Sequence, residues 1–277
     1  MTPDDWKGAA AAAGAQWVEA GPRSDAVLWA QEVGRGREPG LFLAEGLWLN
    51  RQAAQYGAQV EALFLCPALL HSPEWQQEAV KLMAHRPQVY AISERVYERL
   101  SAEKLDRGVL SVVRLPRWTL HDIPDRQPSL LLVLDGLENP GNLGTLLRTA
   151  DGAGAAAVLL CNRRTGLNNP LTVRASLLTL LTRPVLEVDA DEARQFLADR
   201  GYMVYLGKAE ADARYCDEAY APRTAVVVGH EKYGVSQGWF GGPHRAVSIP
   251  MLGQVDSLNV AVAGSILCYE ARRQQGW

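Results

Sequence analysis

The sequence predicts an α/β fold arranged as two domains joined by a linker. Strand-like and helix-like stretches alternate along most of the 277 residues, which is the pattern of βαβ units. The strand-like runs of the second half are short and continuously apolar, as is typical of parallel strands covered on both faces. Between two alternating series lies a stretch with three prolines and no clear periodicity, residues 116–128. Such a stretch indicates a linker.

The first series predicts a smaller domain over residues 1–115. Helical periodicity is clearest at 75–84 and 94–100, and the alanine tract at 9–13 is interpreted as a helix or a loose end. The strand candidates are the apolar runs LFLAEG (41–46), VEALFLC (60–66), QVYAIS (88–93) and VLSVV (109–113).

The second series predicts a larger domain over residues 129–277. Its last element is a mostly apolar helix from Leu258 to Ala271, which Asp256 or Ser257 could cap. A cap needs only one polar side chain, so capping does not account for Asn259 in the first turn. The strand candidates are LLLVLDG (130–136), AAAVLL (155–160), VLEVD (185–189), YMVYLG (202–207), TAVVVG (224–229) and VSIPM (247–251).

Composition narrows the class of protein. A formal net charge of −3 argues against a strong, unspecific polyanion binder, although it leaves room for a local basic patch. No apolar run reaches the roughly 20 residues that span a bilayer, and the N-terminus lacks a signal-peptide pattern. The four cysteines show no CxxC spacing, and the histidines show no metal-ligand spacing. We therefore expect free thiols, a cytoplasmic location and no metal.

Two familiar motifs match in the wrong context. GVSQG (234–238) has the GxSxG pattern of a hydrolase nucleophile. That pattern must follow a strand directly, whereas the strand candidate TAVVVG (224–229) ends several residues before it. GAGAAA (152–157) resembles a dinucleotide fingerprint, but a helix precedes it and a strand follows, which is the reverse of that fold.

Three loops, each after a strand, carry stronger signals. The first contains Asn142, a candidate helix cap, followed by Gly144 and Arg148. At 100° per residue Arg148 points away from the apolar stripe and lies over Gly144, near the positive end of the helix, where anions are favoured. An alternative for Arg148 is an ordinary solvated arginine.

The second loop, GHEKYG (229–234), places two glycines around the acidic Glu231, as in a loop whose backbone approaches a ligand; a solvated turn is equally compatible. The third loop begins at Met251 and ends in Ser257-Leu258-Asn259, where a helix start offers backbone donors.

Together the three loops resemble the signature motifs of the SpoU (TrmH-type) RNA methyltransferases, a branch of the SPOUT superfamily. The motif N-x-G-x-x-x-R corresponds to Asn142, Gly144 and Arg148, and G-x-E to Gly229 and Glu231. The motif I-P-M…S-L-N corresponds to Ile249, Pro250, Met251, Ser257, Leu258 and Asn259. The order and the spacing both fit. One departure is that no glycine follows Arg174-Ala175-Ser176, where family members often have Gly-Ala.

The resemblance implies a C-terminal SPOUT domain with a deep trefoil knot, and an N-terminal RNA-binding domain similar to a small ribosomal protein. It implies methyl transfer from S-adenosylmethionine to a ribose 2′-hydroxyl of RNA, with ribosomal RNA ahead of transfer RNA. Arg148 would handle the proton or stabilise the developing alkoxide, and no metal is required. The implied positioning residues are Asn142, Glu231, Ser257 and Asn259, and the implied cofactor-binding residues are Gly229, Ile249, Met251, Leu258 and Asn259.

Two further expectations concern partners. Arg35 and Arg37 form a basic loop suited to RNA phosphates, which Arg163 and Arg164 could extend. A homodimer through the knotted domain is expected because the family dimerises there. The last helix has a stripe of small residues that would let the backbone of a second subunit come close. These residues are Ala261, Ser265 and Cys268.

The residues leave three other functions open. These are a transfer RNA 2′-O-methyltransferase, a SPOUT enzyme that methylates a base nitrogen, and an RNA- or ribosome-binding module without catalysis. Intact Arg148, Glu231 and Asn259 argue against the last of these.

Overall fold

The computed structural model describes residues 1–84, 88–102 and 108–276. The chain forms two compact units. The first contains Met1–Pro116 together with Leu167–Val173, and the second contains the intervening residues 117–166 and the chain from Arg174 onward. A short segment from the middle of the sequence therefore packs with the N-terminal unit.

The first unit is a mixed five-stranded sheet with helices. Its strands lie in the order β1-β4-β3-β5-β2, and β5 runs antiparallel to both of its neighbours. Buried apolar side chains pack on the sheet in two clusters. The elements are α1 (Pro3–Ala12), β1 (Gln16–Glu19), α2 (Asp25–Gly34), β2 (Leu41–Glu45), α3 (Gly46–Gln55), β3 (Val60–Leu65), α4 (Pro73–Met83), β4 (Gln88–Ala91), α5 (Glu94–Leu100) and β5 (Val109–Arg114).

The predicted strands and helices of this unit are present, and the alanine tract belongs to α1. The sequence did not indicate β1. Its four residues, QWVE, are exposed or half-buried and lie at the edge of the sheet, so they form no apolar run that a pattern search could find.

The second unit is a six-stranded, wholly parallel sheet, as the continuous apolar runs predicted. The strand order is β11-β9-β10-β6-β7-β8. The elements from residue 129 onward are β6 (Ser129–Asp135), α6 (Pro140–Gly152), β7 (Ala157–Cys161), α7 (Pro170–Ser176), α8 (Thr179–Thr182), β8 (Val185–Glu187), α9 (Ala190–Asp199), β9 (Met203–Gly207), β10 (Arg223–Gly229), β11 (His244–Val247) and α10 (Val260–Gln275). The first part of α7, up to Val173, belongs to the first unit. The proline-rich stretch is packed, because Trp118, Leu120 and Ile123 contact the core of this unit.

One strand prediction is wrong in its position. The run VSIPM (247–251) was expected to be a strand, but β11 ends at Val247. Pro250 has no N–H group to donate to a neighbouring strand, and the chain from Ser248 to Asn259 forms a loop.

The small-residue stripe of α10 does not face outward. Ala261 and Cys268 are buried, and the Ser265 hydroxyl lies 2.7 Å from that of Thr149 on α6. A side chain at Gly264 would come within 2.6 Å of Leu146. The small residues therefore admit α6 of the same chain, and the prediction that they make room for a second subunit is wrong.

The backbone after Ser176, where family members often have a glycine, is left-handed in this chain. Leu177 and Leu178 follow α7 with φ angles of 49° and 66°, in the left-handed region that suits glycine. Leu177 is 43% exposed, whereas Leu178 is completely buried. The chain thus carries two side chains in a strained conformation, and only one of them gains a full set of core contacts.

Replacing Leu177 by glycine should raise the free energy of unfolding by about 0.5–1 kcal/mol, because the strain of a left-handed leucine exceeds the entropy cost of glycine. Leu178→Gly relieves the same strain but removes a buried side chain, so it should lower stability by at least about 1–2 kcal/mol. Thermal unfolding of both variants beside the wild type measures the difference. A destabilised Leu177→Gly variant would mean that its backbone is not strained.

Among the residues that the structure describes, no helix is long and apolar enough to cross a membrane. The same residues contain no cluster of side chains suited to holding a metal ion.

Candidate active site

The three motif loops meet at the carboxyl edge of the parallel sheet. Strands β6 and β10 are neighbours in register, so Asp135 and Gly229 lie side by side where these strands end. The first motif follows β6 and the second follows β10. This edge is where ligands bind in open α/β sheets.

Glu231, Asn142 and Asn259 form a hydrogen-bonded chain that joins the three motifs. The Asn142 side-chain amide donates to Glu231 at 3.0 Å, and the Asn259 amide donates to the Asn142 carbonyl oxygen at 3.0 Å. Residues that are 89 and 117 positions apart in sequence therefore meet at one point.

The Glu231 carboxylate also occupies the start of α6. It accepts hydrogen bonds from the backbone N–H groups of Glu138 (3.2 Å) and Asn139 (3.1 Å). Burial by itself would raise the pKa of Glu231, but these bonds and the one from Asn142 outweigh it and hold the pKa below its usual value. Glu231 is therefore suited to positioning groups as an anion and not to carrying a proton.

The caps of the two motif helices differ from the prediction. The N-cap of α6 is Asn139, whose side chain accepts from the N–H groups of Gly141 and Asn142. Asn142 lies within the first turn. The N-cap of α10 is Asn259, which accepts from the N–H of Ala261 at 2.9 Å, so Ser257 is not the cap. Asn259 thus caps α10 with its oxygen and binds Asn142 with its nitrogen, which explains a polar residue at this place.

Gly144 serves packing and not anion binding. A side chain there would collide with Ala175 and come within 2.9 Å of the backbone of Ser176. Gly144 is therefore not an open position beneath Arg148, and the anion at the start of α6 is the Glu231 carboxylate. The glycine is covered by α7, and the N–H groups of Glu138 and Asn139 already bind a carboxylate.

Arg148 is exposed on α6. Among the described residues no side chain forms an ion pair with its guanidinium. It lies six residues after Asn142, which is about 9 Å along the helix axis at 1.5 Å per residue. Helical side chains lean toward the N-terminus of their helix, so the long Arg148 side chain extends along α6 in the direction of its motif end.

An open pocket with a volume of about 370 Å³ lies beside the junction, within the roughly 300–1,000 Å³ typical of small-molecule sites. It brings together most of the predicted site residues, whereas Asn142, Asn259 and Arg148 do not line it. The predicted residues that line it are Gly229, Glu231, Ile249, Met251, Ser257 and Leu258.

Several lining residues were not predicted. Gly207 is the last residue of β9 and Lys208 follows it. This strand adjoins β10 in the sheet, so its carboxyl end was a signal that could have found them. Phe240 lies between the second and third motifs and Leu267 lies two turns into α10, and nothing in the motifs indicated that they reach the pocket.

Asp135 is a second group that the sequence analysis missed. Its carboxylate is almost completely buried where β6 ends. One oxygen accepts from the Asn162 side chain at 2.6 Å and the other from the N–H of Ser236 at 2.7 Å. Asp135 therefore ties the loop after β7, and the loop that carries Glu231, to the central strand.

In the first unit, the predicted RNA loop follows α2. Arg35 and Arg37 both pair with Glu32, at 2.7 and 3.0 Å, and these hydrogen bonds lower the pKa of Glu32, that from Arg37 most. Asn168 donates to the carbonyl oxygens of Gly36 and Glu38, both at 3.0 Å. The loop is thus fixed by the segment 167–173. Arg163 pairs with Glu187 at 2.8 Å.

Residues 129–269 match the SpoU rRNA Methylase family. The chain belongs to this family. Residues 34–111 match the MRM3-like substrate binding domain. The predictions of the family, of the mixed α/β class and of an N-terminal substrate-binding domain are therefore confirmed.

Relatives in the SpoU family include enzymes that act on different RNAs. A tRNA (guanosine(18)-2′-O)-methyltransferase of Thermus thermophilus is 38% identical over 154 residues, which cover 54% of this chain and 77% of the relative. A 23S rRNA (uridine(2479)-2′-O)-methyltransferase of Streptomyces viridochromogenes is 29% identical over 244 residues, covering 85% and 84% of the two chains.

Two solved methyltransferase structures match more than nine-tenths of the chain. The SpoU methyltransferase AviRb from Streptomyces viridochromogenes, in complex with AdoMet, has a TM-score of 0.81 at 26% identity and covers 91% of this chain and 98% of its own. An AdoMet-bound rRNA methyltransferase from Sinorhizobium meliloti has a TM-score of 0.82 at 25% identity, with 94% and 98% covered.

Proposed function

We propose that this chain transfers a methyl group from S-adenosylmethionine to a ribose 2′-hydroxyl of ribosomal RNA. The predictions of an enzyme, of this cofactor and of 2′-O-methylation are confirmed by the relatives and by AdoMet-bound structures of the same fold. The observation that carries the proposal here is the Glu231–Asn142–Asn259 chain, which joins three motif loops beside the pocket. Ribosomal RNA is favoured because a relative named for 23S rRNA covers 85% of this chain and 84% of its own length.

The pocket suits a ligand that has an apolar ring and charges of both signs. Val228, Phe240 and Leu267 offer apolar surface for an adenine, and Glu231 and Lys208 offer opposite charges to an ammonium and a carboxylate. When bound, S-adenosylmethionine supplies an electrophilic methyl group. We assign its binding to the residues around Gly229, Ile249, Met251, Leu258 and Asn259.

The residues of the chain must then orient and activate a hydroxyl group that is a very weak acid. We assign Arg148 to the developing alkoxide, because a guanidinium normally stays protonated and stabilises negative charge. The hydroxyl proton passes to solvent water as the oxygen–methyl bond forms and the methyl–sulfur bond breaks. Asn142, Glu231 and Asn259 hold the helix that carries Arg148, and Ser257 lies at the pocket. Positioning of this kind contributes rate because it removes the entropy cost of alignment.

Methylation of in vitro transcribed ribosomal RNA with labelled cofactor, followed by nucleoside analysis, tests the function. A 2′-O-methylated nucleoside is the expected product. A methylated base would establish base chemistry instead, and product on transfer RNA alone would replace the substrate. RNA binding without any product would leave only a binding module.

We also propose that Arg35 and Arg37 contact RNA phosphates. Replacing both by alanine should weaken RNA binding by roughly tenfold. It should also reduce the steepness of the plot of log affinity against log salt concentration by about one to two. Glu32→Gln should strengthen binding, because it frees both guanidinium groups from a competing carboxylate. Fluorescence anisotropy at several salt concentrations measures both effects.

The control for charge alone is a variant that loses two other exposed arginines of the unit, Arg51 and Arg99. An equal loss of affinity in this variant would show that net charge, and not the loop, determines binding.

We propose that the second unit mediates a homodimer. The small residues of α10 are occupied by α6, but Leu252 is 99% exposed, Val255 64% and Val262 48%. Such a set of exposed apolar side chains indicates an interface. Sedimentation at micromolar concentration should give twice the 30.3 kDa of one chain, and Val262→Asp should shift it toward the monomer. The control is Leu28→Asp, an equivalent change on α2, which should not shift the sedimentation. A monomeric wild type would contradict the dimer.

We propose in addition that the C-terminal part is threaded into the deep trefoil knot of the family. What supports this is the path of the chain: it leaves the edge strand β11 and returns to the middle of the sheet, where α10 packs against α6 and β10. An experimental density map that traces residues 223–260 without a break tests the threading.

A further inference from the structure

An exposed aromatic side chain stands at the mouth of the pocket. Tyr233 is 69% exposed, compared with 43–48% for Trp48, Tyr56 and Tyr269. It lines the pocket together with Glu231 and lies two residues after it. Neither the motifs nor the proposed chemistry assigns it a role.

The turn that carries Tyr233 is rigid. The N–H of His230 donates to the carbonyl oxygen of Gly234 at 3.0 Å, and the N–H of Gly234 donates back at 2.8 Å. Gly234 has a φ of +69°, and Gly229 packs so closely on Gly234 that no side chain fits between them. Lys232 donates its N–H to the His230 ring at 2.9 Å. The ring of Tyr233 is therefore presented by a closed turn.

The surroundings of the ring leave one part of it open. The His230 ring lies 4.7 Å away at an angle of 48°, and the ammonium group of Lys232 lies 5.4 Å from the ring centre. The Nε2 of His230 lies 3.3 Å from a carboxylate oxygen of Glu138. The tyrosine is thus supported by the imidazole while most of its surface faces solvent.

The reaction brings a nucleobase to this place. A ribose whose 2′-hydroxyl enters the pocket carries its base on the adjacent carbon, so the base of the target or of its neighbour lies at the mouth. Proteins that act on single RNA nucleotides unstack the base and replace the lost stacking by an aromatic side chain. Such stacking tolerates any base, and a nearby cation adds attraction for the phosphate backbone.

We propose that Tyr233 is the stacking platform for an RNA nucleobase at the mouth of the pocket, with Lys232 beside it as a contact for the backbone. The proposal rests on the proposed function. It adds a binding residue for the RNA that acts before the methyl transfer, so it affects the RNA concentration needed and not the affinity for the cofactor.

The test compares Tyr233→Ala and Tyr233→Phe with the wild type. Single-turnover methylation of in vitro transcribed ribosomal RNA gives the RNA concentration for half-maximal rate, and calorimetry gives the affinity for S-adenosylmethionine. Tyr233→Ala should raise that RNA concentration about 5- to 150-fold, the scale of one lost base–aromatic stack. Tyr233→Phe should remain within about twofold, because it keeps the ring. Tyr56→Ala is the control for losing an exposed aromatic elsewhere.

Three results for Tyr233→Ala would overturn the proposal. An unchanged RNA requirement in Tyr233→Ala would show that no base stacks there. A matching loss of cofactor affinity would assign the ring to the adenine of the cofactor, and a shift in sedimentation would assign it to a second copy of the chain. A wild type that methylates no RNA would refute the proposed function and the stacking with it. If the wild type turns over normally, a negative result for the variants refutes only the role of Tyr233.

Discussion

Arg148→Ala should lower methyl transfer by roughly two to four powers of ten, the usual scale for removing a group that handles a proton or stabilises charge. The fold should be almost unaffected, because the side chain is exposed on α6 and forms no ion pair within the described part of the chain. Surface changes of this type usually alter stability by no more than about 0.5 kcal/mol. Cofactor affinity should also stay close to that of the wild type, since Arg148 does not line the pocket.

The measurement is single-turnover transfer with calorimetric cofactor binding on the same preparations. Arg148→Lys should recover little activity, because lysine keeps the charge but lacks the planar, forked set of donors. Arg117→Ala, which removes another exposed arginine of the same unit, should behave as the wild type. Near-normal turnover in Arg148→Ala would exclude Arg148 from the mechanism and leave it as a solvated surface arginine.

Glu231→Ala should abolish most of the activity for a different reason. The carboxylate accepts three hydrogen bonds, from Asn142 and from the N–H groups of Glu138 and Asn139. Its removal leaves these donors without partners and should cost about 1–3 kcal/mol of stability. It also releases the link between two motif loops, so we expect transfer to fall by roughly two powers of ten or more, as misplaced catalytic groups do.

Urea unfolding and single-turnover transfer measure the two effects. Glu192→Ala, which removes an exposed carboxylate from the first turn of α9, is the matched control and should change neither by a comparable amount. An active, equally stable Glu231→Ala variant would show that the hydrogen-bonded chain does not support the site.

The lowered pKa of Glu231 gives this interaction a pH dependence. Because the pKa in the folded chain lies below the ordinary value of 4.5, the stability that the carboxylate contributes is complete above that value. It is lost as the pH falls through the folded pKa. The difference in unfolding free energy between the wild type and Glu231→Gln should therefore be constant near neutral pH and shrink in acid. A difference that grows in acid would contradict a carboxylate bound as an anion.

Most strands and helices could be predicted from the sequence, because their signals are local. Continuous apolar runs indicated β6 and β10, and periodicity indicated α5. The failures are elements without such a signal. The edge strand β1 is half polar, and β11 begins before the apolar run that was used to find it.

The candidate site was predicted as a set of residues but not as a structure. The order and spacing of the three motifs that contain Asn142, Glu231 and Asn259 were sufficient to identify the family. Their contacts were not predictable, because the three residues come from distant segments. The register of β6 with β10 brings the loops of Asn142 and Glu231 together, and Asn259 joins them from the chain that follows β11. For the same reason the cap of α10 was assigned to Ser257, although Asn259 performs it while also binding Asn142.

By itself the sequence determined the order of the elements, the parallel sheet and the family, since these depend on patterns within short windows and on fixed motif spacing. Only the tertiary structure decided what the small and charged residues do. Gly144 and Gly264 admit α7 and α6, and Asp135 and Glu231 are held by donors from other loops. The physical reason is that close packing and the satisfaction of buried polar groups depend on which segments become neighbours in space, and a local pattern does not contain that information.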